Sequence, residues 1–227
     1  MVGRQVAPPR RESAKVGNAI LNVKDLWVKD DRGLSSVKGI TFSLSEGEIL
    51  GIAGVDGNGQ KETVEAIAGV RPIERGEVSI SGIPPFGKNR FRSIGHVTED
   101  RHHTGLVLPF TVAENLVLKS CDRPPHGSWM RLNLAAIRQS AERTMRKFDI
   151  RAPGPNVLAS TLSGGNQQKV VLARELHGDP QLVIAEQPTR GLDLATHRLQ
   201  LFPLGLDTTS TRPQAHVVVA VLHGQVD

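Results

Sequence analysis

Leu162-Ser163-Gly164-Gly165-Asn166-Gln167-Gln168-Lys169 sets a hydroxyl and two glycines at the opening of an apolar-periodic helix. Ser163 reads as the N-cap, and the turn behind it offers unpaired backbone N–H groups and the positive end of the helix dipole to an anion. A plain helix start carries the same residues, so the neighbouring segments decide between the two readings. The helix runs on through Val170, Val171, Leu172, Ala173 and Leu176, and Gln181-Leu182-Val183-Ile184-Ala185 follows as the continuous apolar run of a fully buried strand. At its end stand Glu186 and Gln187, then the polar turn Pro188-Thr189-Arg190-Gly191-Leu192-Asp193. In open α/β sheets ligands bind at this carboxyl end of the strands.

Upstream, Glu48 to Gly54 reads as another buried strand that enters Gly54-Val55-Asp56-Gly57-Asn58-Gly59-Gln60-Lys61-Glu62 and a helix. Strand, glycine loop and helix form the context a phosphate-binding loop requires, because glycines let backbone N–H groups curl around a phosphate. Gly54 and Gly59 keep the spacing of GxxxxGK[ST], but Gln60 stands at the lysine and Lys61 at the Mg²⁺-binding hydroxyl. A glycine turn serving geometry alone is the competing reading.

Four segments in this order resemble the nucleotide-binding domain of ATP-binding cassette (ABC) transporters, from Ile20 to Asp193. They are the Walker A-like loop at Gly54 to Lys61, a Q-loop-like turn at Val97-Thr98-Glu99-Asp100-Arg101, the signature Leu162 to Asn166, and a Walker B strand ending in Glu186-Gln187 with a D-loop at Gly191-Leu192-Asp193. The stretch Gly105 to Leu116 and the wording Glu-Gln-Pro-Thr-Arg-Gly-Leu-Asp are similar to the second, C-terminal cassette of double-cassette importers of simple sugars and nucleosides. Gly-Val-Asp-Gly-Asn-Gly-Gln resembles the nucleoside branch.

The resemblance implies an α/β P-loop NTPase (RecA-like) ABC ATPase core with an inserted helical subdomain. It also implies ATP and Mg²⁺ as ligands, with Gly54, Gly57, Asn58, Gly59, Gln60, Lys61 and Glu62 around the nucleotide. Glu186 and Glu99 are the candidate Mg²⁺ ligands, Glu186 and Gln187 stand at the catalytic positions, and Asp193 is the D-loop aspartate. Two cassettes of this family pair head to tail, each ATP lying between one Walker face and the other's signature. The signature face is complete: Ser163 brings a hydroxyl, and Gly164 and Gly165 let the backbone approach phosphate. The Walker face is not. Gln60 has no charge, and Lys61 lies about 100° further around the helix. Gln187 is an amide where a general base is expected, a loss worth about 10²–10⁴-fold in rate. Asp31 falls where the family's adenine-stacking aromatic is found, and Trp27 nearby reads as a strand residue packing on the core.

The expected role is an ATP-binding subunit or half-subunit energising import, with a degenerate site of its own and a signature lent to a partner cassette. The implied partners are that cassette, membrane permease subunits and, indirectly, a solute-binding protein, at the cytoplasmic face of the plasma membrane. A non-hydrolytic cassette-fold module and an inactive truncated product remain alternatives.

A length of 227 residues with 38% apolar content suits one substantial α/β core. No apolar run approaches the roughly 18 residues of a membrane span. The single cysteine, Cys121, suits a reducing compartment. A net charge of +5 with 4% aromatics and no tyrosine disfavours nucleic acid, since bases would find few stacking platforms. The basic, Pro-containing residues 1–18, with Arg4, Arg10, Arg11 and Lys15, read as an inter-cassette linker. The core occupies 19–106, and 161–195 carry the signature helix, Walker B strand and D-loop. Residues 107–160 form the helical subdomain, with Leu134, Ile137, Ala141, Met145 and Phe148 on one helix face. Residues 196–227 read as a divergent or truncated tail, with Pro203 breaking a helix and Val217 to Leu222 as a strand. His223 stands near a switch position by coincidence.

Overall fold

The computed structural model describes residues 17–55, 57–83, 88–186 and 217–223. Asp56, Gln187, the turn through Asp193, the leader residues Arg4 to Lys15, and Pro203 lie outside the described residues.

Strand β1 (Ala19–Lys29) is the centre of an antiparallel sheet between β2 (Ser35–Ser45) and β4 (Arg75–Ile80). Its inward residues are Leu21 and Val23, then Leu26 and Val28. The alternation slips by one because Asp25 takes a left-handed φ of 46° and the register with β2 shifts between Val23 and Leu26. Trp27 therefore lies on the opposite face, half-buried, with its Nε1–H donated to Asp25 Oδ1 at 2.8 Å and Arg75 over its ring. The expectation that Trp27 packs on the core is corrected by this bulge.

A parallel sheet follows the order β3 (Ile49–Gly54), β7 (Val217–His223), β6 (Leu182–Glu186), β5 (Ile94–Val97). The apolar run near the end of the chain thus sits between the glycine-loop strand and the strand carrying Glu186. All five residues of β6 are buried. By contrast β3, expected to be buried, is half-exposed, with Ile49 at 49%. Among the described residues it is the edge strand of this sheet, paired with β7 alone.

Helix α1 (Gln60–Ala68) follows the glycine loop, and α2 (Lys88–Ser93) leads into β5. Helices α3 (Val112–Val117) and α4 (Leu134–Lys147) fall within 107–160, and α5 (Gly164–His177) starts directly after Ser163. One apolar cluster joins β1, β2, β4 and α1 to Ile94, Leu182 and Ile184, and a second joins α3, α4 and α5 to Val97 and Ala185. Alternate residues of β6 thus face different clusters, so this strand is shared by both. Thr111 and Glu114 form a reciprocal capping box on α3. Fully buried Asn115 satisfies the entering chain by accepting from Val107 N–H and donating to the carbonyls of Val107 and Thr111. On α4, Ile137, Ala141 and Met145 are buried and Phe148 packs against them, but Leu134 is 72% exposed. It is the first residue after the Asn133 N-cap, one turn before the buried Ile137.

Glu175 of α5 is buried and charged. Its carboxylate accepts from Lys119 Nζ, from Arg174 Nε at 2.7 Å and from the His96 backbone N–H at 2.9 Å. Lys119 also donates to Ile94 O at 2.7 Å. Burial pushes the Glu175 carboxyl up, but Lys119, Arg174 and the His96 N–H outweigh it and hold it below the usual carboxylate range.

Ile184→Ala, at a fully buried position, is expected to cost about 2–5 kcal/mol, whereas Leu134→Ala should change stability by no more than about 0.5 kcal/mol. Urea denaturation of both variants checks this, and equal losses would mean the exposed end of α4 is misplaced. Glu175→Gln should cost about 3–5 kcal/mol at neutral pH by leaving two buried cations unpaired. A carboxylate with a depressed folded pKa stabilises the fold above its unfolded value, about 4.3, and ceases to as pH falls through the folded value. The gap between wild type and Glu175→Gln should therefore be full above about pH 5 and close in acid, as denaturation midpoints across pH will report.

Candidate nucleotide site

The carboxyl edge of the parallel sheet gathers the candidate residues. The register pairs Gly54 with His223 and Glu186 with Val221 across the shared strand β7. Glu186 and the start of the glycine loop therefore lie at the same carboxyl end of the sheet, two strand spacings and two residues of stagger apart, about 12 Å. On the other side Val97 pairs with Ala185, which brings half-buried Glu99 to the same edge.

The loop's shape depends on its glycines. Gly57 and Gly59 have φ of 84° and 90°, and a Cβ on Gly59 would meet Ser36 O at 2.8 Å. Asn58 is exposed beside them. A cleft of about 660 Å³ runs from the loop between β2 and β3, lined by Val37, Phe42, Leu50, Gly54, Asn58 and Gln60 among others. Gln60 is only 5% exposed; its Nε2 donates to Val55 O at 3.0 Å, and its Oε1 is buried without a hydrogen-bond partner. The amide is thus turned into its own loop. Reversing it would set Oε1 against the Val55 carbonyl, so the donor is committed. Lys61 points away, exposed, 3.9 Å from Glu65. Glu62 is half-buried in the first turn of α1. The glycine cradle fits a phosphate, and no side-chain cation among Gln60, Lys61 and Glu62 turns into it.

Asp31, exposed at the tip of the β1–β2 hairpin, pairs with Arg71 at 2.8 Å, and Arg71 also donates to Glu65 Oε2 at 2.6 Å and to Lys29 O at 3.0 Å. Arg71 holds the Asp31 carboxyl below the usual range.

Glu186 is 7% exposed, and its Oε1 lies 2.6 Å from His96 Nε2. No group of three His, Cys, Asp or Glu side chains gathers among the described residues. Mg²⁺ is commonly held by one or two carboxylates with phosphates and water supplying the rest, and the hard oxygen donor of Glu186 fits that pattern. Gln187 and Asp193 lie outside the described residues.

At the signature, Ser163 Oγ accepts from Asn166 Nδ2 at 3.0 Å and caps Asn166 N–H, and Asn166 Oδ1 accepts from Arg151 N–H at 2.9 Å. Leu162 is half-buried against the helical cluster, while Ser163 is exposed and Gly164 and Gly165 are accessible. The turn after β5 reaches this start: a Cβ on Gly164 would meet Arg101 Nη2 at 3.0 Å, and His102 Nε2 lies 3.0 Å from Gln167 Oε1. Asp100 caps that turn, and the His103 N–H and ring hold its carboxyl below the usual range.

His96, His102 and Glu175 belong to no functional motif in the sequence, and Arg101 enters only as the last residue of the Q-loop-like turn, with no role of its own. Glu175 had a signal there, a carboxylate at helical spacing from Val171 and Leu172 on the apolar face. His96, Arg101 and His102 are joined to their partners only by the fold. Cys121 is half-buried and unpaired, and no helix among the described residues is long and apolar enough to cross a membrane.

The family described as ABC transporter matches residues 37–190. The chain is 43% identical over 199 residues to the nucleoside import ATP-binding protein NupA of Lactococcus lactis subsp. cremoris, covering 86% of this chain and 39% of that protein. It is 40% identical over 200 residues to the guanosine import ATP-binding protein NupO of Bacillus subtilis, with the same coverages. The chain thus spans well under half of either relative. A dimeric post-hydrolysis ATP-binding cassette solved with ADP and Pi superposes with a TM-score of 0.74 at 24% identity, covering 89% of this chain and 88% of that one, a likeness of fold. A family match over most of the chain, on a fold shared with solved cassettes, means that this protein belongs to the ABC transporter family.

Proposed function

We propose that the chain is the second cassette of an importer's ATP-binding protein, one that lends its signature to a partner cassette while its own site binds ATP weakly and turns it over slowly or not at all. The observation that carries this reading is the contrast between Gln60, turned inward onto Val55 O, and Ser163 with its exposed helix start. Hydrogen bonds to charged groups are worth about 1.5–3 kcal/mol, and the helix dipole at α1 supplies only about 0.3–1 kcal/mol. The dipole therefore does not replace the missing cation.

The glycine loop around Gly57 and Gly59 would receive phosphate on its backbone, with Asn58, Lys61 and Glu62 at its margin. Glu186, with Glu99, would hold Mg²⁺, which neutralises phosphate charge when bound. Gln187 stands in the family's general-base position and carries no basic atom. On the other face, the Ser163 hydroxyl and the N–H groups of Gly164 and Gly165 would meet the γ-phosphate held by the partner cassette, with Asp193 in the D-loop beside it. NupA and NupO support nucleosides as the solute class, with simple sugars next because a glucose import ATP-binding protein of Haloferax volcanii is 37% identical. Permease subunits at the cytoplasmic face of the plasma membrane, fed by a solute-binding protein, complete the proposed assembly.

Equilibrium binding of fluorescent ATP with Mg²⁺ tests the first half. The chain should bind weakly without turnover, and Gln60→Lys should tighten binding about 10–100-fold. Unchanged affinity in a folded variant would remove Gln60 as the cause, and turnover by the chain alone at the rate of a transport ATPase would end the asymmetric reading. In the two-cassette assembly, Ser163→Arg should abolish hydrolysis at the partner's site, since the longer cation fills the space of the phosphate. Full activity there would show that this signature is not used.

A further inference from the structure

His96 belongs to none of the sequence motifs around the site, yet it makes the only hydrogen bond of the Glu186 side chain among the described residues. It lies on β5, beside β6 in parallel register with His96 opposite Ile184, so its ring crosses to Glu186 two residues further along. Nε2 and Oε1 are 2.6 Å apart, and the two side chains are 18% and 10% exposed. An ionised carboxylate only accepts, so His96 Nε2 is the donor. The His96 main chain is fixed as well, its N–H donated to buried Glu175. A rigid donor therefore engages Oε1 and leaves Oε2 for a ligand at the carboxyl edge.

By the family resemblance, Glu186 stands where an aspartate is usual. Its extra methylene adds a rotatable bond, and a carboxylate on a longer stem loses more rotamer freedom when it takes one position. A hydrogen-bonded partner that fixes the stem beforehand removes that loss.

We propose that His96 is a positioning residue that orients Glu186 so that Oε2 meets the metal of a bound metal–nucleotide complex. The proposal rests on the ATP-site reading of the proposed function. Groups that hydrogen-bond metal-ligating side chains typically affect metal affinity by about 10–100-fold. A histidine that merely packs between β5 and β6 would affect nucleotide binding equally with and without metal.

The test is fluorescent ATP binding to the full chain in Mg²⁺ and in EDTA, for wild type, His96→Leu, His96→Asn and His96→Gln, with circular dichroism to confirm folding. His96→Leu, which removes the donor and keeps bulk, should weaken Mg²⁺-dependent binding about 10–100-fold and leave binding in EDTA unchanged. His96→Gln, whose amide nitrogen reaches about as far as Nε2, should keep most of the affinity. His96→Asn, whose amide stops short of Glu186, should behave as His96→Leu and decides the matter if the leucine variant fails to fold. Equal losses with and without Mg²⁺, or no loss in either donor-removing variant, overturn the proposal while wild-type binding stands. A folded wild type that binds no nucleotide in either condition overturns the ATP-site reading, and the proposal with it.

Discussion

The Glu175 carboxylate, buried between Lys119, Arg174 and the His96 N–H, is the constraint on which the site geometry depends. It ties the C-terminal half of α5 to β5 and to the segment that follows α3. The same helix starts at Ser163, and the same strand carries His96 and leads to Glu99. Taking these charges from water costs several kcal/mol per ion, so the cluster is weak evidence for net stability. Its consequence is arrangement. Any displacement of α5 against β5 would strip the buried carboxylate of the His96 N–H and of Lys119, which is itself tied to Ile94 O, and leave it only Arg174 of its own helix, which is costlier than sliding one apolar surface over another. The signature start and the carboxyl edge of the sheet are therefore held in one relation by a group that touches neither.

Loop geometry and loop charge are separable in this chain. The left-handed φ at Gly59 and its close approach to Ser36 O are steric requirements, indifferent to the side chain at position 60. Gln60 can lose the charge of the family's lysine, turn onto Val55 O, and leave the cradle's shape in place. This separates a fold that receives phosphate from a site that holds it tightly. On the proposed reading the signature has no comparable dependence, because the donors it would offer are backbone N–H groups and a serine hydroxyl.

Local sequence made some elements legible and left others hidden. Ser163 marks the first residue of α5 because capping is a short-range hydrogen bond, and the apolar run before Glu186 announces a strand buried on both faces. The loop and α1 were equally plain, since glycine spacing and helix onset are local. The half-exposed β3 was not, because nothing within Ile49–Gly54 records that it is the edge strand among the described residues. Trp27 misled because one residue, Asp25, slips the period of two. Leu134 has the right helical spacing but lies on the first turn, where no neighbour reaches it. His96 and Glu186 are 90 residues apart, and Lys119 and Glu175 56. No period or motif in a single sequence joins such pairs.

The hairpin tip sharpens the asymmetry at the nucleotide site. Asp31 occupies the position where the resemblance expects a stacking aromatic, and it is engaged by Arg71, which also bonds Glu65 of α1 and Lys29 O. An anion clamped by a cation offers the adenine no apolar face. Aromatic stacking on a base is worth about 1–3 kcal/mol, and the missing charged hydrogen bond at position 60 about 1.5–3 kcal/mol. On the proposed reading, absence of both would remove about 2.5–6 kcal/mol, or about 10²–10⁴-fold in affinity. The two would fall on different parts of one bound nucleotide, so a single neighbouring side chain would not restore both. On the proposed reading both lie on the Walker face and neither lies on the signature, which is the pattern expected where one half-site is relaxed and the other retained.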